Sequence, residues 1–343
     1  MFDRRTFFGL TLAYLAVCDR AQASSVVTIL SPEHYTTEKV VDLAHSVSTP
    51  NLSVIAAPGY GPVQNVKSLL ARGAAQIAVL QADVLEFMMH RKMLPESSGL
   101  LRYIAQIYSA QVHVLAQQRI SSITELARQQ VGIGPENSVS YVTSTQLFDL
   151  LGLSVQPVLV EHAEALQGLR RRELAAVVYV GGAPDRSFLD LNRSQDGVHF
   201  LPLGLTPTLS SRYLPAELNI QQYPLLIGEG EAGIGAPVPT IALPMLLAVY
   251  NWPVGSPTHR ILSLFAAEFS RIAPVSLEPT GWTRFLPGTA SGTLTHRVTP
   301  PAQMTSEQRE KLFREYEKWR AQRQREALFE DYLRWLQTRP QSP

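Results

Sequence analysis

A chain of 343 residues is long enough for two domains or one large one, and a composition of 45% hydrophobic and 17% charged residues excludes a disordered chain. The net charge of +1 leaves no excess of Lys and Arg for a polyanion, so nucleic acid is not expected as a partner. With Cys18 the single cysteine, no intrachain disulfide is available.

The chain opens on a targeting pattern. Arg4 and Arg5 precede the apolar run "FFGLTLAYLAVC", and "AQA" at 21–23 offers small residues for cleavage before Ser24. Residues 1–23 therefore read as an export signal, and the mature chain is expected in the periplasm. "DRRTFF" approximates the twin-arginine pattern, which leaves the general and the twin-arginine routes both open. "LAVC" is a poor lipoprotein signal because Val17 is bulky.

From Val26 short apolar runs alternate with amphipathic ones. "VVTIL" predicts a strand, "TTEKVVDLAHSV" a helix and "LSVIAAP" a strand. "VQNVKSLLARG" predicts a helix closed by Gly73, and "AQIAVLQ" a third strand. This βαβαβ order implies a parallel sheet. "YIAQIY" and "VHVLAQ" predict two strands in close succession. A second unit follows: "ITELARQ" as helix, "VGIG" as strand, "SYVTSTQLFDLLG" as helix, "VQPVLV" as strand, "AEALQGLRRRE" as helix and "AAVVYV" as buried strand. Two similar α/β units joined by extended segments suggest two lobes with a cleft between them.

Gly181 and Gly182 end that last strand, either as an ordinary tight turn or to let something approach the backbone. Residues 236–258 carry no charge, yet Pro239, Pro244 and Pro253 break the run into strand-length pieces, so interior strands are expected and not a membrane span. The tail over 303–338 predicts amphipathic helix with apolar stripes such as Tyr316–Trp319 and Tyr332–Trp335, which either pack on the protein's own body or dock a partner.

Catalytic and cofactor motifs fail. "GEGEAG" at 228–233 matches a dinucleotide fingerprint formally, but "IGAPVPT" follows where a helix is required. There is no Walker A sequence, H-E-x-x-H or G-x-S-x-G, and His113 within "VHVLA" reads as a strand residue. No enzyme activity, metal or cofactor is expected. What remains is a set of strand-to-helix turns with small or polar residues: "SPEHYTT", "APGYGPVQN", "LQAD", "GPENSVSY" and "YVGGAP". Helix amino ends gathered at one cleft bind carboxylates through N–H groups and the helix dipole.

The segments "VQNVKSLLARGAAQIAVLQADV", "RYIAQIYSAQVHVLA", "ITELARQQVGIGPENS", "AVVYVGGAP" and "YPLLI" with "PVPTIALPMLLAV" resemble the TAXI family of solute-binding proteins, over about residues 26–297. These are receptors of tripartite ATP-independent periplasmic (TRAP) transporters. The resemblance implies an α/β, type II-like periplasmic-binding-protein fold with two lobes, an interlobe cleft and a hinge of two crossings. It also implies a small anionic or zwitterionic ligand, such as a carboxylate or amino acid, delivered to a membrane permease. Lobe 1 is expected over 24–112 plus 222–297 and lobe 2 over 113–221, in a monomer. The chain departs from the family in its turns: "SPEHYTT" has no glycine and one Tyr, Tyr60-Gly61-Pro62 stands for Gly-Gly-Ser, and Asn137-Ser138-Val139-Ser140 for Gly-Ser-Gly-Thr. These changes and the added tail keep open an alternative, a ligand sensor or scaffold reporting to a membrane sensor kinase or another periplasmic protein. Candidate ligand contacts are Tyr35, Thr36, Tyr60, Asn65, Gln81, Ser138, Ser140, Tyr141, Tyr179 and Gly181, with hydroxyls and amides orienting the ligand and Tyr60 or Tyr179 forming an apolar wall.

Overall fold

The computed structural model describes residues 25–33, 38–73, 75–94, 98–228, 235–272, 279 and 281–287. The export signal expected over 1–23 and the helix expected over 303–338 lie outside these residues, as does most of "GEGEAG".

The expected βαβαβ unit forms from β1 (Ser25–Leu30), α1 (Glu38–Val47), β2 (Leu52–Ala57), α2 (Pro62–Leu70) and β3 (Ile77–Gln81), followed by α3 (Val84–His90). Val40, Ala44 and Val47 fall on one face of α1 and are buried there, as a 3.6-residue period requires. β1 pairs in parallel with both β2 and β3. α2 ends before Gly73: Ala71 is its C-cap, and Arg72 takes the left-handed conformation at φ 54°.

"YIAQIY" and "VHVLAQ" belong to one strand, β4 (Leu101–Gln117). Ser109-Ala110-Gln111 resembles a break in sequence, but all three residues pair with Leu243, Pro244 and Ala242 of a second long strand and stay extended. Beyond β4, "ITELARQ" makes only a 3₁₀ turn over Ile123–Leu126, and Arg128 at φ 60° turns the chain into β5 (Gln130–Gly132). Then come α4 (Val139–Leu150), β6 (Gln156–Val158), α5 (His162–Arg170) and β7 (Ala176–Gly181). Short elements follow: α6 (Arg186–Leu189), α7 (Arg193–Asp196), β8 (Val198–Phe200), α8 (Pro207–Ser210), β9 (Leu214–Leu218) and α9 (Pro224–Ile227). The second long strand is β10 (Val238–Tyr250), and α10 (Pro257–Ile272) packs on α1 and β1.

One ten-stranded sheet runs β2-β1-β3-β10-β4-β7-β5-β6, with β8 beside β4 and β9 beside β10. Its two halves share only the long antiparallel strands β4 and β10. The carboxyl part of β10 pairs with β3 and its amino part with β9, while the carboxyl part of β4 pairs with β7. This is the two-lobed α/β architecture with two hinge crossings. The uncharged run 236–258 thus supplies one continuous strand despite its prolines. The carbonyl of Pro244 accepts the N–H of Ala82 just past the end of β3, and the Ala82 carbonyl, which proline cannot serve, takes the Trp282 Nε1–H instead.

Tyr223, Leu226, Ile227 and Val238 pack in one cluster with Phe188, Phe200 and Leu166, and β10 passes from β9 to β3 between Ala242 and Met245. "YPLLI" ends in a short helix, with Pro224 in its first turn. No helix among the described residues is long and apolar enough to cross a membrane.

Candidate functional site

α4 lies between the halves and is buried on most of its circumference, including Ser140, Thr143, Ser144 and Gln146. Buried hydroxyls and amides need partners; Ser140, Thr143 and Gln146 Nε2 find them around the helix, whereas Ser144 Oγ has none among the described residues. Ser138 caps the helix, its Oγ accepting the N–H of Tyr141 at 3.1 Å. The N–H of Val139 donates to Glu33 Oε1 at 3.2 Å. The positive end of α4 therefore holds a carboxylate that the chain itself supplies from the turn after β1, in the first half.

The neighbouring turn is tightly tied. Asn65 Nδ2 donates to the Ser31 carbonyl at 2.7 Å, and its Oδ1 accepts the N–H of Tyr60. Gly61 sits at φ 86°, and a Cβ there would stand 2.5 Å from the carbonyl of Asn137 in the second half. Here glycine is required both by torsion and by close approach of the two halves.

At the end of β7 the glycines behave differently from a positive-φ turn. A Cβ on Gly181 would strike the Tyr179 ring at 2.6 Å, whereas one on Gly182 would meet Lys39 Nζ, from α1 of the other half, at 2.9 Å. Lys39 lies over the Tyr108 ring, 4.7 Å from its centroid. Tyr179 Oη donates to Asp185 Oδ2 at 2.8 Å, and its ring stacks on His162 at 4.3 Å. Burial works against the Asp185 charge, but bonds from Ser187 and Tyr179 hold its pKa below the usual carboxylate value. Tyr223 Oη accepts the N–H of Asp185 and bonds His113 Nε2, each at 2.8 Å. Burial pushes His113 and His162 down to about 4, so both rings are neutral at pH 7.

On the other flank of α4, Gln81 Nε2 donates to Thr143 Oγ1 at 3.0 Å and to the Val139 carbonyl. Thr143 in turn donates to Asp83 Oδ2 at 3.0 Å, joined there by Tyr213 Oη at 3.2 Å, while Gln146 Nε2 donates to the Asp83 carbonyl. Burial raises the Asp83 carboxyl to about 6 against the pull of these bonds. Phe87 and Tyr141 meet edge to face at 5.8 Å, and Val142 is packed among Val63, Val66 and Leu80 of the first half. Beside Asp83 lies a pocket of about 400 Å³, walled by α3, Gln106 of β4, Pro244 of β10, residues 210–214 and Trp282.

Of the residues singled out in the sequence, Tyr35 and Thr36 lie outside the described residues. Tyr60 is 64% exposed. Asn65, Gln81, Ser138 and Ser140 are buried and engaged in bonds within the protein, Ser140 Oγ accepting the N–H of Val180 at 3.0 Å. Tyr141 is half-buried against Phe87, and Tyr179 and Gly181 share one face of β7. Sequence reading passed over Glu33, Lys39, Asp83, Thr143, Gln146 and Tyr213. Glu33 and Asp83 stood within turns already marked, as the only acids in "SPEHYTT" and "LQAD".

The fold has loose likenesses among solved structures. A TctC solute-binding protein from Polaromonas aligns over 73% of this chain and 84% of its own, at 15% identity and a TM-score of 0.43. The GluR0 ligand-binding core from Nostoc punctiforme, in complex with L-glutamate, aligns over 72% and 92% at 13% identity and a TM-score of 0.41. The regulatory domain of Synechocystis CcmR in complex with 2-PG aligns over 71% and 97% at 12% identity and a TM-score of 0.41. No curated protein matches the sequence. The profile of the NMT1-like family matches residues 39–256, which include both crossing strands, α4 and the Gly181-Gly182 turn; the chain belongs to the NMT1-like family.

Proposed function

We propose that the protein is an exported solute-binding receptor whose two lobes close on a small carboxylate or amino acid and deliver it to a TRAP-type permease. In this reading residues 1–23 direct export, the mature chain works in the periplasm, and the lobes are 24–110 with 244–297, and 111–243. The observation that carries it is the Glu33 carboxylate on the amino end of α4, reached across the cleft between two halves that share two strands. A site that seats a carboxylate from one half on the helix end of the other has the charge and reach to seat a ligand's carboxylate. The TAXI-like motif order supports the permease as recipient.

A thermal-shift panel of carboxylates and amino acids on the mature protein tests this reading, followed by uptake of any hit in vesicles carrying a TRAP permease. A hit that raises the melting temperature and is taken up only with both proteins is expected. Amino-terminal sequencing of periplasmic protein should begin at Ser24.

A second reading keeps the fold without transport: a sensor or scaffold reporting to a membrane kinase or periplasmic partner. The hydrogen bonds that Glu33 and Asp83 already accept across the halves favour it, since the closed arrangement uses the chain's own groups. A flat panel together with a kinase captured by the mature protein would select this reading.

A further inference from the structure

We infer that the pocket beside Asp83 is a second binding site, distinct from the Glu33 side of α4, and that it takes a small organic cation: a primary amine on an apolar body. The inference goes beyond the receptor reading and does not depend on it. The pocket shares none of its lining with Glu33, Ser138 or Gly181, and it is walled by both halves and both crossing strands.

The charge pattern selects the ligand. Asp83 is 6% exposed; Thr143 and Tyr213 both donate to Oδ2, and the Gln81 side chain also favours the charged carboxyl. Oδ1 has no partner among the described residues. A buried carboxylate without a counter-ion is costly, and its charge is best met by a cation. The nearby Arg212 does not serve, because it is paired with Glu86 on the same wall. Burial without a cationic neighbour is also what lifts the Asp83 carboxyl. An anion would face both Asp83 and Glu86, and a neutral body would leave the buried carboxylate without a counter-charge. A bare metal ion would need several oxygen ligands, whereas Leu85, Met89, Pro244 and Trp282 offer apolar surface suited to a carbon skeleton. The indole is fixed there by its own bond, Trp282 Nε1 donating to the Ala82 carbonyl at 2.7 Å.

The test uses the full-length protein and benzylamine, with benzyl alcohol and benzoate as uncharged and anionic counterparts of the same shape. Calorimetry should give saturable one-to-one binding of benzylamine alone, with a rise in melting temperature because the occupied pocket spans both halves. Asp83→Asn should weaken binding by about tenfold or more. Met89 lines the pocket and is 45% exposed, so Met89→Lys can be made without disturbing the core and brings a tethered ammonium that competes with the amine. It should weaken benzylamine as well, even if Asp83→Asn fails to fold. The inference is overturned if benzylamine does not saturate, if benzyl alcohol binds as tightly, or if Met89→Lys leaves its affinity unchanged.

Discussion

Glu33 and Val139 meet across the two halves of the sheet, the carboxylate of the first accepting the backbone N–H of the second at 3.2 Å. They are 106 residues apart in the chain, so the contact exists only when the lobes are together. On the receptor reading, Glu33 is the group an incoming carboxylate displaces. Glu33→Ala should then lower stability by about 0.5–1 kcal/mol through loss of the helix-end interaction while strengthening carboxylate binding. Melting curves and titrations of one preparation check both; weaker binding by the variant would remove Glu33 from this role.

The turn after β7 gives a ranking. Gly181→Ala must push the Tyr179 ring off Asp185, with an expected cost of about 1–3 kcal/mol. Gly182→Ala meets only the end of the Lys39 side chain, which can swing away, and should be nearly neutral in stability. Denaturant midpoints of the two variants decide it, and the reverse order would contradict this packing.

Two opposed titrations share one pH window. Asp83 has its folded pKa raised from 3.8 to about 6, so its contribution is fully present below 3.8 and is lost as pH rises through 6, by about 3 kcal/mol. His113 and His162 are lowered from 6.5 to about 4, so their contribution is present above 6.5 and is lost as pH falls through 4. Asp83→Asn removes the first and leaves the second. Compared with the parent, the variant should gain stability at pH 7.5 relative to pH 4, read from urea unfolding at both values. A constant difference between the proteins would mean that Asp83 is not the group responsible.

Tyr223 joins two parts of the second half through one hydroxyl, shared by His113 Nε2 and the N–H of Asp185. Tyr223→Phe leaves both without that partner while preserving the ring. An expected loss of about 2–3 kcal/mol follows from unmet buried polar groups, measurable as a lower denaturant midpoint with an unchanged m-value.

Much of the first half was legible because its signals are local. β1, β2 and β3 are apolar runs and α1 repeats Val40, Ala44 and Val47; in the second half "SYVTSTQLFDLLG" matches α4 nearly to the residue. The long strands were not, since a strand's continuity at Ser109–Gln111 and Pro244 depends on the partner that pairs with it. The packing of Tyr223 and Ile227 was hidden for a related reason, since it depends on side chains distant in sequence, such as Phe188 and Phe200. In the site, the turns were visible but the bonding was not. Gln81, Asn65 and Ser140 have the chemistry of ligand contacts, and only their neighbours show them tied to Thr143, Ser31 and Val180. Asp83 acquires its character from Thr143 and Tyr213, respectively 60 and 130 residues away.

Gln111 and Ala242 stand directly opposite one another on the two crossing strands. The chain leaves the first half at one and re-enters it at the other, one strand spacing of about 4.8 Å away. The second half is therefore topologically an insertion, with its entrance and exit side by side. A short reverse turn could join those positions in either direction, closing the first half over the gap or linking the ends of an excised second half. The two halves are modular in that sense, and an exchange of the second half between relatives would require matching only two adjacent strands.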